Sequence, residues 1–288
     1  MSAGAAKTVK VRGLASRDGA AGNGGAERED LVAVEEPLEI RVAGRGIAVT
    51  MRTPGHDREL VAGFLLTEGV VGAAEDLLDV FACRDLPLGQ EGNVVEAVLS
   101  KGARARFDPE RLTRHVFTAS SCGLCGKATI AALASVLRPL RGAAEAGESG
   151  RFSDAEIAAW PERLRAAQPG FGATGGLHAA ARFSARGDLL AVREDVGRHN
   201  ALDKLIGAAL WAGETPLAGD AVLVSGRLSF ELVQKCWAAG VTLLAGIGAP
   251  SSLAVETAQA AGMTLVGFLR ADRANVYAGV ERLRRPGK

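Results

Sequence analysis

Two cysteines lie two residues apart in the stretch SSCGLCGK, at Cys122 and Cys125, in a chain that has four cysteines among 288 residues. Ser120 and Ser121 are typical residues for the start of a helix, and the apolar residues after Cys125 recur at helical spacing. We therefore expect the pair in a loop or a first helical turn, where the helix dipole and Lys127 favour a thiolate.

Four roles are compatible with this spacing. A thiol–disulfide redox pair is one, and half of a structural zinc site, which needs four ligands, is another. Cys83, Cys236 and the four histidines are scattered along the chain, which weakens the zinc interpretation. The third role is a sulfur carrier that holds a persulfide on one cysteine, and the fourth is simple packing. The spacing alone does not decide among them.

A second group of candidates lies in the stretch REDVGRHN, where a predicted strand is followed by a predicted helix. Arg198 and His199 stand at the start of that helix, and a helix N-terminus with cationic neighbours suits a phosphate group. The alternative is that polar residues of this junction, Asp195 and Asn200, only cap the helix.

Two further loops follow predicted strands in the same part of the chain. Ser225 and Arg227 lie in VSGRLS, and the stretch GIGAPSS follows the next strand. In open α/β sheets, ligands bind at the carboxyl ends of the strands. Together the three loops predict a site for an anionic ligand.

Composition limits the classes of function. Apolar residues make up 48% and charged residues 23% of the chain, and the net charge is +1, which is typical of a globular protein without nucleic-acid or membrane partners. No apolar run approaches the roughly 18 residues of a membrane span. The N-terminus lacks the apolar segment of a secretion signal, so we expect a cytoplasmic protein, where a cysteine pair is more often reactive than a structural disulfide.

The patterns divide the chain into three parts. Residues 1–30 are rich in Gly and Ala and predict a disordered tail. Residues 31–115 contain the strand-like PLEIRV, GIAVTMR and VVEAVL and a helix in PGHDRELVAGFLLTEGVV, which predicts a small α+β domain. Residues 116–288 begin with the C-x-x-C loop and continue with an antiparallel strand pair, a helix and a β-α-β-α-β alternation. This last part predicts an α/β domain whose sheet is covered by helices.

Six stretches together resemble the formate dehydrogenase accessory sulfurtransferases, from about Glu35 to Leu283: TPGHDRELVAGFLLTEG, SSCGLCGK, GGLHAAA, EDVGRHNALDK, VSGRLSFELVQK and TLVGFLRADRANVY. The resemblance implies a protein that accepts sulfur from a cysteine desulfurase. It then passes the sulfur to the bis-molybdopterin guanine dinucleotide cofactor, as formate dehydrogenase activity requires. By this resemblance Cys122 carries the persulfide and Cys125 supports the transfer.

The resemblance also implies a fold, a ligand contact and partners. The C-terminal domain is expected to resemble cytidine deaminase, a three-layer α/β/α sandwich. The protein is expected to form a homodimer. Its expected partner proteins are formate dehydrogenase and the cysteine desulfurase. No cofactor is expected to stay bound, and guanine nucleotides should mimic part of the molybdenum cofactor. The contact with that cofactor maps onto Phe268, Leu269, Arg270, Ala271, Asp272 and Arg273.

The deaminase signature itself is missing from the chain. His178 is followed by Ala179 and Ala180, so the glutamate of the H-x-E motif is absent, and no P-C-x-x-C follows. These departures argue against a metal site and against deamination. Two other functions stay open: a thiol–disulfide oxidoreductase, and a chaperone that binds the cofactor without moving sulfur.

Overall fold

The structure is a computed structural model that describes residues 4–13, 27–84, 86, 91–109, 137, 140 and 152–284. Cys122 and Cys125 lie outside these residues. What the sequence predicts for their surroundings therefore stays a prediction.

The first described segments form a two-stranded antiparallel ribbon. Strand β1 (Ala6–Arg12) pairs with β2 (Glu27–Ala33), with Ala6 opposite Ala33 and Arg12 opposite Glu27. The prediction of a disordered tail over residues 1–30 is wrong for these strands. Most of their side chains are exposed, so the cross-strand backbone hydrogen bonds rather than a buried face define the ribbon.

A four-stranded sheet follows, as the alternating stretches predicted. Its strands are β3 (Glu36–Val42), β4 (Arg45–Arg52), β5 (Leu77–Ala82) and β6 (Val94–Leu99), in the order β4-β3-β6-β5. Helix α1 (Asp57–Thr67) lies between β4 and β5, and a short helix α2 (Lys101–Arg106) follows β6. The β3–β4 hairpin turns through Ala43 and Gly44, both with positive φ. These strands and α1 confirm the predicted α+β content.

The segment 152–284 holds the larger sheet. Its elements are β7 (Phe152–Ser153), α3 (Asp154–Ala166), α4 (Pro169–Thr174), β8 (His178–Phe183), β9 (Leu189–Asp195), α5 (Arg198–Trp211), β10 (Ala221–Val224), α6 (Phe230–Ala238), β11 (Leu243–Gly246), α7 (Ser252–Ala261), β12 (Thr264–Gly267), β13 (Asn275–Ala278) and β14 (Leu283–Arg284). Six strands form one sheet in the order β13-β12-β11-β10-β8-β9. Strands β10, β11 and β12 are parallel to each other, β8 is antiparallel to both β10 and β9, and β13 is antiparallel to β12.

Both faces of this sheet are buried. Successive side chains of a strand point to opposite faces, so Val222 and Val224 of β10 join the core cluster that contains α5, α6 and α7. Ala221 and Leu223 join a second cluster, built around Trp160 of α3. The predicted α/β class with helices covering the sheet is confirmed. The likeness of the layers to cytidine deaminase stays an expectation.

Helices α1 and α5 touch through their backbones. A Cβ atom placed on Gly63 would lie 1.9 Å from the carbonyl oxygen of Asp203, and one on Gly207 would lie 1.8 Å from that of Glu59. Both positions therefore require glycine. This crossing fixes α5, whose first residues are Arg198 and His199, against α1.

The crossing is reinforced by buried charges. Lys235 of α6 lies 2.9 Å from Asp203 of α5 and 3.4 Å from Glu68, and it also donates to the hydroxyl of Thr67 at the end of α1. No helix within the described ranges combines the length and apolar character that a bilayer span requires.

Candidate functional site

The predicted ligand residues meet along one edge of the six-stranded sheet. Since β9, β10, β11 and β12 all point the same way, their carboxyl ends share this edge with the first residue of β8. Arg198 and His199 follow β9, Ser225 and Arg227 follow β10, and the segment 268–273 follows β12. We call this region the strand-end edge. The predicted position at strand ends is confirmed, and the binding of a ligand there stays a prediction.

Backbone hydrogen bonds join the loops of the strand-end edge. The amide of Gly248 donates to the carbonyl of Gly226 at 2.9 Å, and the amide of Phe268 donates to the carbonyl of Gly248 at 3.0 Å. A Cβ atom on Gly248 would lie 2.8 Å from the Gly226 oxygen, so only glycine permits this approach. The three loops after β10, β11 and β12 therefore form one connected surface.

The segment 268–273 begins with two residues of opposite character. Phe268 has 43% of its surface exposed and a left-handed φ of 52°, a strained backbone conformation for a large side chain. Leu269 is 1% exposed and packs into the core cluster around Trp160. Because the core buries this side chain, a contact of Leu269 with the cofactor falls to its backbone groups, and the predicted contact stays a prediction. The Leu269 side chain anchors the segment that presents Phe268.

The rest of the segment is a turn with exposed side chains, Ala271, Asp272 and Arg273. The amide of Arg270 donates to the carbonyl of Arg273 at 2.8 Å. The Arg270 guanidinium donates through Nη1 to the carbonyls of Ile247 and Leu269, at 2.7 and 2.8 Å. Arg270 is thus held at the edge by one nitrogen, while Arg273 extends into solvent.

Asp195 and Asn200 have structural roles at the start of α5. The Asp195 carboxylate is fully buried, accepts from the amides of Thr53 and Gly197 and from Asn200 Nδ2, and lies 2.7 Å from Nζ of Lys204. Asn200 Nδ2 also donates to the carbonyl of Met51 at 2.7 Å. These contacts support the helix start, but Gly197 stands at the N-cap position of α5 and no side chain caps it, so the alternative that Asp195 and Asn200 only cap the helix stays a prediction. They hold the strand-to-helix junction rigidly beneath Arg198 and His199.

Arg198 and His178 lie side by side at this junction. A Cβ atom on Gly226 would lie 3.4 Å from His178 Nδ1 and 3.8 Å from Arg198 Cδ. Burial, with the charge of Arg198, lowers the pKa of His178, so its imidazole is neutral at neutral pH. Among the described residues, Nε of Arg198 is buried without a hydrogen-bond partner. Such a nitrogen is costly unless a ligand or water satisfies it.

His199 is neutral as well. Burial, together with Arg198 and Lys235, lowers the pKa of His199 to about 4. Its Nε2 lies 3.4 Å from the hydroxyl oxygen of Ser229, at the start of α6. A neutral ring leaves Arg198 as the charged group of this pair of residues.

Ser225 and Arg227 differ in their surroundings. The Ser225 hydroxyl oxygen accepts from the amide of Ala179 at 2.9 Å, and the Ser225 amide donates to the carbonyl of Ala179 at 2.9 Å. The serine therefore extends the pairing of β8 with β10, and its hydroxyl proton has no acceptor among the residues that the structure describes. Arg227 is exposed, and within the described ranges its guanidinium has no hydrogen bond or ion pair.

A cavity of about 480 Å³ lies at the same edge, between α3, α4 and the ends of β8, β10 and β11. Ser225 was a predicted site residue, whereas the sequence analysis assigned no role to Gln168 and Phe171, which also line this cavity. Neither lies in a motif, so sequence spacing offered no signal for them.

The two cysteines within the described residues lie apart from this edge. Cys236 is fully buried in α6, and burial raises the pKa of its thiol, so this cysteine packs in the core as a neutral thiol. Cys83 is partly exposed directly after β5. The described ranges contain no cluster of three or more His, Cys, Asp or Glu side chains that could hold a metal ion.

The fold and the strand-end edge define an α/β protein that presents arginines and an exposed aromatic ring at the carboxyl ends of its strands. A sequence model described as "FdhD/NarQ family" matches residues 33–284, and the chain belongs to this family. The family resemblance predicted from the sequence is confirmed.

Individual relatives are similar over most of their length. A protein named "Sulfur carrier protein FdhD" from Mycolicibacterium paratuberculosis is 50% identical over 261 residues, covering 89% of this chain and 93% of the relative. A protein with the same name from Streptomyces avermitilis is 48% identical over 278 residues, covering 96% and 95%. The crystal structure of a proposed formate dehydrogenase accessory protein from Desulfotalea psychrophila is 25% identical, with a TM-score of 0.71 and coverage of 96% of this chain and 99% of that one.

Proposed function

We propose that this chain is a sulfurtransferase that accepts sulfur from a cysteine desulfurase as a persulfide on Cys122. It then transfers the sulfur to the bis-molybdopterin guanine dinucleotide cofactor required by formate dehydrogenase. The observation that carries the proposal is sequence similarity to proteins named sulfur carriers, which are 50% and 48% identical to this chain over 89% and 96% of its length. The cysteine pair of SSCGLCGK supplies the group that can hold sulfur.

The first step is a thiol exchange. The Cys122 thiolate attacks the outer sulfur of the desulfurase persulfide, a new S–S bond forms at Cys122, and the desulfurase cysteine leaves as a thiolate with the electron pair of the broken bond. No net oxidation or reduction occurs, because the outer sulfur keeps its oxidation level.

Cys125 takes part in the release of sulfur from the Cys122 persulfide. Attack of the Cys125 thiolate on the inner sulfur of the Cys122 persulfide would form a Cys122–Cys125 disulfide and release the outer sulfur as hydrosulfide. The two electrons that reduce the outer sulfur come from the two cysteines. An external thiol would then have to reduce the disulfide before the next cycle.

The strand-end edge is the proposed docking site for the cofactor as substrate. Arg198, Arg227, Arg270 and Arg273 can neutralise phosphate groups, and the planar guanidinium can form two parallel hydrogen bonds to them. Arg198 Nε is buried without a hydrogen-bond partner in the described part of the chain, and such a donor fits an anionic acceptor. The exposed ring of Phe268 offers a face on which a base can stack.

Binding of a guanine nucleotide tests this docking site. Titration calorimetry should detect GDP binding, and Arg273→Ala should weaken it by about 1–3 kcal/mol, the scale of a lost charge-assisted hydrogen bond. Arg186→Ala is the matched control, since Arg186 is an exposed arginine in the turn between β8 and β9, at the opposite edge of the sheet. Equal losses in both variants would contradict a specific role for Arg273.

Sulfur transfer is tested by complementation. In cells that lack this protein, the Cys122→Ala variant should fail to restore formate dehydrogenase activity, while Cys83→Ala and Cys236→Ala should restore it. A Cys122–Cys125 disulfide that forms without any persulfide would favour the thiol–disulfide oxidoreductase. Cofactor binding without a persulfide would favour the chaperone.

The proposal also includes the cellular compartment, the oligomeric state and the domain architecture of the protein. We place the protein in the cytoplasm as a homodimer, with a C-terminal domain layered as in cytidine deaminase. Light scattering coupled to size-exclusion chromatography should give twice the mass of the 288-residue chain. A monomer at micromolar concentration would contradict the dimer without affecting the chemistry at Cys122.

A further inference from the structure

Thr53 joins the four-stranded sheet to the start of α5. It lies directly after β4 and is 3% exposed. Its amide donates to the Asp195 carboxylate at 3.1 Å, and its hydroxyl oxygen accepts from the amide of Val196 at 3.1 Å. Its carbonyl accepts from Lys204 Nζ at 2.8 Å. Three polar groups of one threonine therefore engage the strand-to-helix junction.

Other residues of the same domain add contacts to this junction. The Thr50 hydroxyl donates to Asn200 Oδ1 at 3.0 Å, and Asn200 Nδ2 donates to the carbonyl of Met51 at 2.7 Å. In the first turn of α1, Glu59 Oε1 accepts from Arg193 Nη2 of β9 at 2.8 Å. Strand β4 and helix α1 thus hold the end of β9 and the start of α5 together.

Arg198 depends on these contacts because it is the first residue of α5. The amides of the two residues before it are both fixed, that of Val196 by Thr53 Oγ1 and that of Gly197 by Asp195 Oδ1 at 2.8 Å. Arg198 Nε is buried and has no hydrogen-bond partner among the residues that the structure describes. A binding group has to be held within about 0.5 Å of its productive position. The Thr53 hydroxyl helps to define that position for Arg198.

A purely stabilising role for Thr53 is the alternative, and Thr257 offers the comparison. Thr257 is 0% exposed on α7, and its hydroxyl donates to the carbonyl of Leu253 within the same helix at 2.7 Å. Loss of either hydroxyl removes a buried hydrogen bond and should lower stability. Only the loss at Thr53 changes a contact of the junction before Arg198.

We propose that Thr53 is a positioning residue for Arg198, through which the four-stranded sheet sets the affinity of the strand-end edge for an anionic ligand. Thr53 acts through the Val196 amide and needs no contact with the ligand, as its burial requires. The identity of the ligand as a guanine nucleotide rests on the proposed function. The positioning of Arg198 does not.

Hydrogen exchange of the full chain, followed by NMR without a ligand, tests the positioning itself. Thr53→Val has nearly the same shape and removes the acceptor, so the Val196 amide should exchange about tenfold faster, the factor for one lost hydrogen bond. Thr53→Ser keeps the hydroxyl and should keep the slow exchange. Thr257→Val is the matched control and should leave the exchange of Val196 unchanged.

Titration calorimetry with GDP tests the consequence for binding. Thr53→Val should weaken GDP binding by about 3- to 10-fold, less than the roughly 10- to 100-fold that loss of a whole charge-assisted hydrogen bond would cause. Thr53→Ser and Thr257→Val should bind GDP as the unmodified protein does. In an Arg198→Ala background, Thr53→Val should cause no further loss, because its effect passes through Arg198.

Three results would overturn the proposal. They are unchanged exchange of Val196 in Thr53→Val, losses of GDP affinity that multiply in the Thr53→Val/Arg198→Ala variant, and an equal loss of GDP affinity in Thr257→Val. If Thr53→Val does not fold, Thr53→Ala removes the same acceptor and carries the same comparisons. Failure of the unmodified protein to bind GDP would contradict the proposed docking site, and the exchange rates would still decide whether Thr53 positions Arg198.

Discussion

Replacing Lys204 with methionine should destabilise the junction that positions Arg198 and His199. Lys204 Nζ lies 2.7 Å from the Asp195 carboxylate, and the two side chains are 1% and 0% exposed. Nζ also donates to the carbonyl of Thr53 at 2.8 Å. Methionine has an unbranched side chain that is shorter than lysine by the terminal nitrogen alone, so the variant removes the charge without opening a large cavity.

The expected loss of unfolding free energy in Lys204→Met follows from the burial of the ion pair. Removing one partner of a buried ion pair typically costs about 3–5 kcal/mol, because the remaining charge stays desolvated. Three N–H donors, from Thr53, Gly197 and Asn200, still bind the Asp195 carboxylate, so we expect the lower end of this range. A loss of about 3 kcal/mol corresponds to roughly 6–12 °C in Tm for a protein of this size class.

Urea unfolding followed by circular dichroism measures the effect. Lys101→Met is the control, since Lys101 is exposed on α2, and it should change stability by less than about 0.5 kcal/mol. The double variant Lys204→Met/Asp195→Asn should lose less stability than the two single variants added together, because it removes both charges. A loss below about 1 kcal/mol in Lys204→Met, or strict additivity in the double variant, would refute the reasoning.

Two further predictions concern titratable groups. Burial raises the pKa of Glu59, but the hydrogen bond from Arg193 helps to lower it, and the pKa falls from 4.5 to about 2. The Glu59 carboxylate therefore stabilises the fold above pH 4.5, and this contribution to stability is lost as the pH falls towards 2. Glu59→Gln should cost about 1–2 kcal/mol at pH 7 after allowance for partial exposure. Urea unfolding at several pH values should show this loss of stability becoming smaller below pH 4.5, and a loss that does not change with pH would contradict the prediction. Iodoacetamide at pH 8 should modify Cys83 and spare Cys236 in the folded protein, and equal labelling by peptide mass spectrometry would contradict the burial of Cys236.

Periodicity predicted the elements that have a buried face. Helix α1 and strands β3, β4 and β6 alternate or repeat apolar residues, and the strands β10, β11 and β12 read as short apolar runs because both faces of their sheet are buried. The ribbon of β1 and β2 gave no such signal, since most of its side chains are exposed.

Helix α3 had a local signal that the sequence analysis did not use. Ser153 and Glu156 form a capping box, a pattern of serine followed three residues later by glutamate that marks a helix start. The helix matters because it forms one wall of the cavity at the strand-end edge.

The sequence predicted the site residues whose position depends on the order and direction of the strands. It did not predict the residues whose position depends on tertiary packing. Glycine-containing loops after apolar strands placed Ser225 and Arg198 at the correct edge. Gln168 could not be predicted to line the cavity, because the position of α4 depends on a tertiary contact in which the Glu194 carboxylate accepts from the amides of Gly170 and Phe171. The burial of Leu269 within a segment of exposed residues is likewise a consequence of the core beneath it.

The central claim is that Cys122 holds sulfur as a persulfide, and peptide mass spectrometry tests it most directly. The purified full chain is incubated with a cysteine desulfurase and cysteine, and its peptides are analysed without reduction. The account predicts the mass of one added sulfur atom on the peptide that contains Cys122, and no such addition in Cys122→Ala. Added sulfur that persists in Cys122→Ala and disappears in Cys125→Ala, or a Cys122–Cys125 disulfide with no added sulfur at any time, would contradict it.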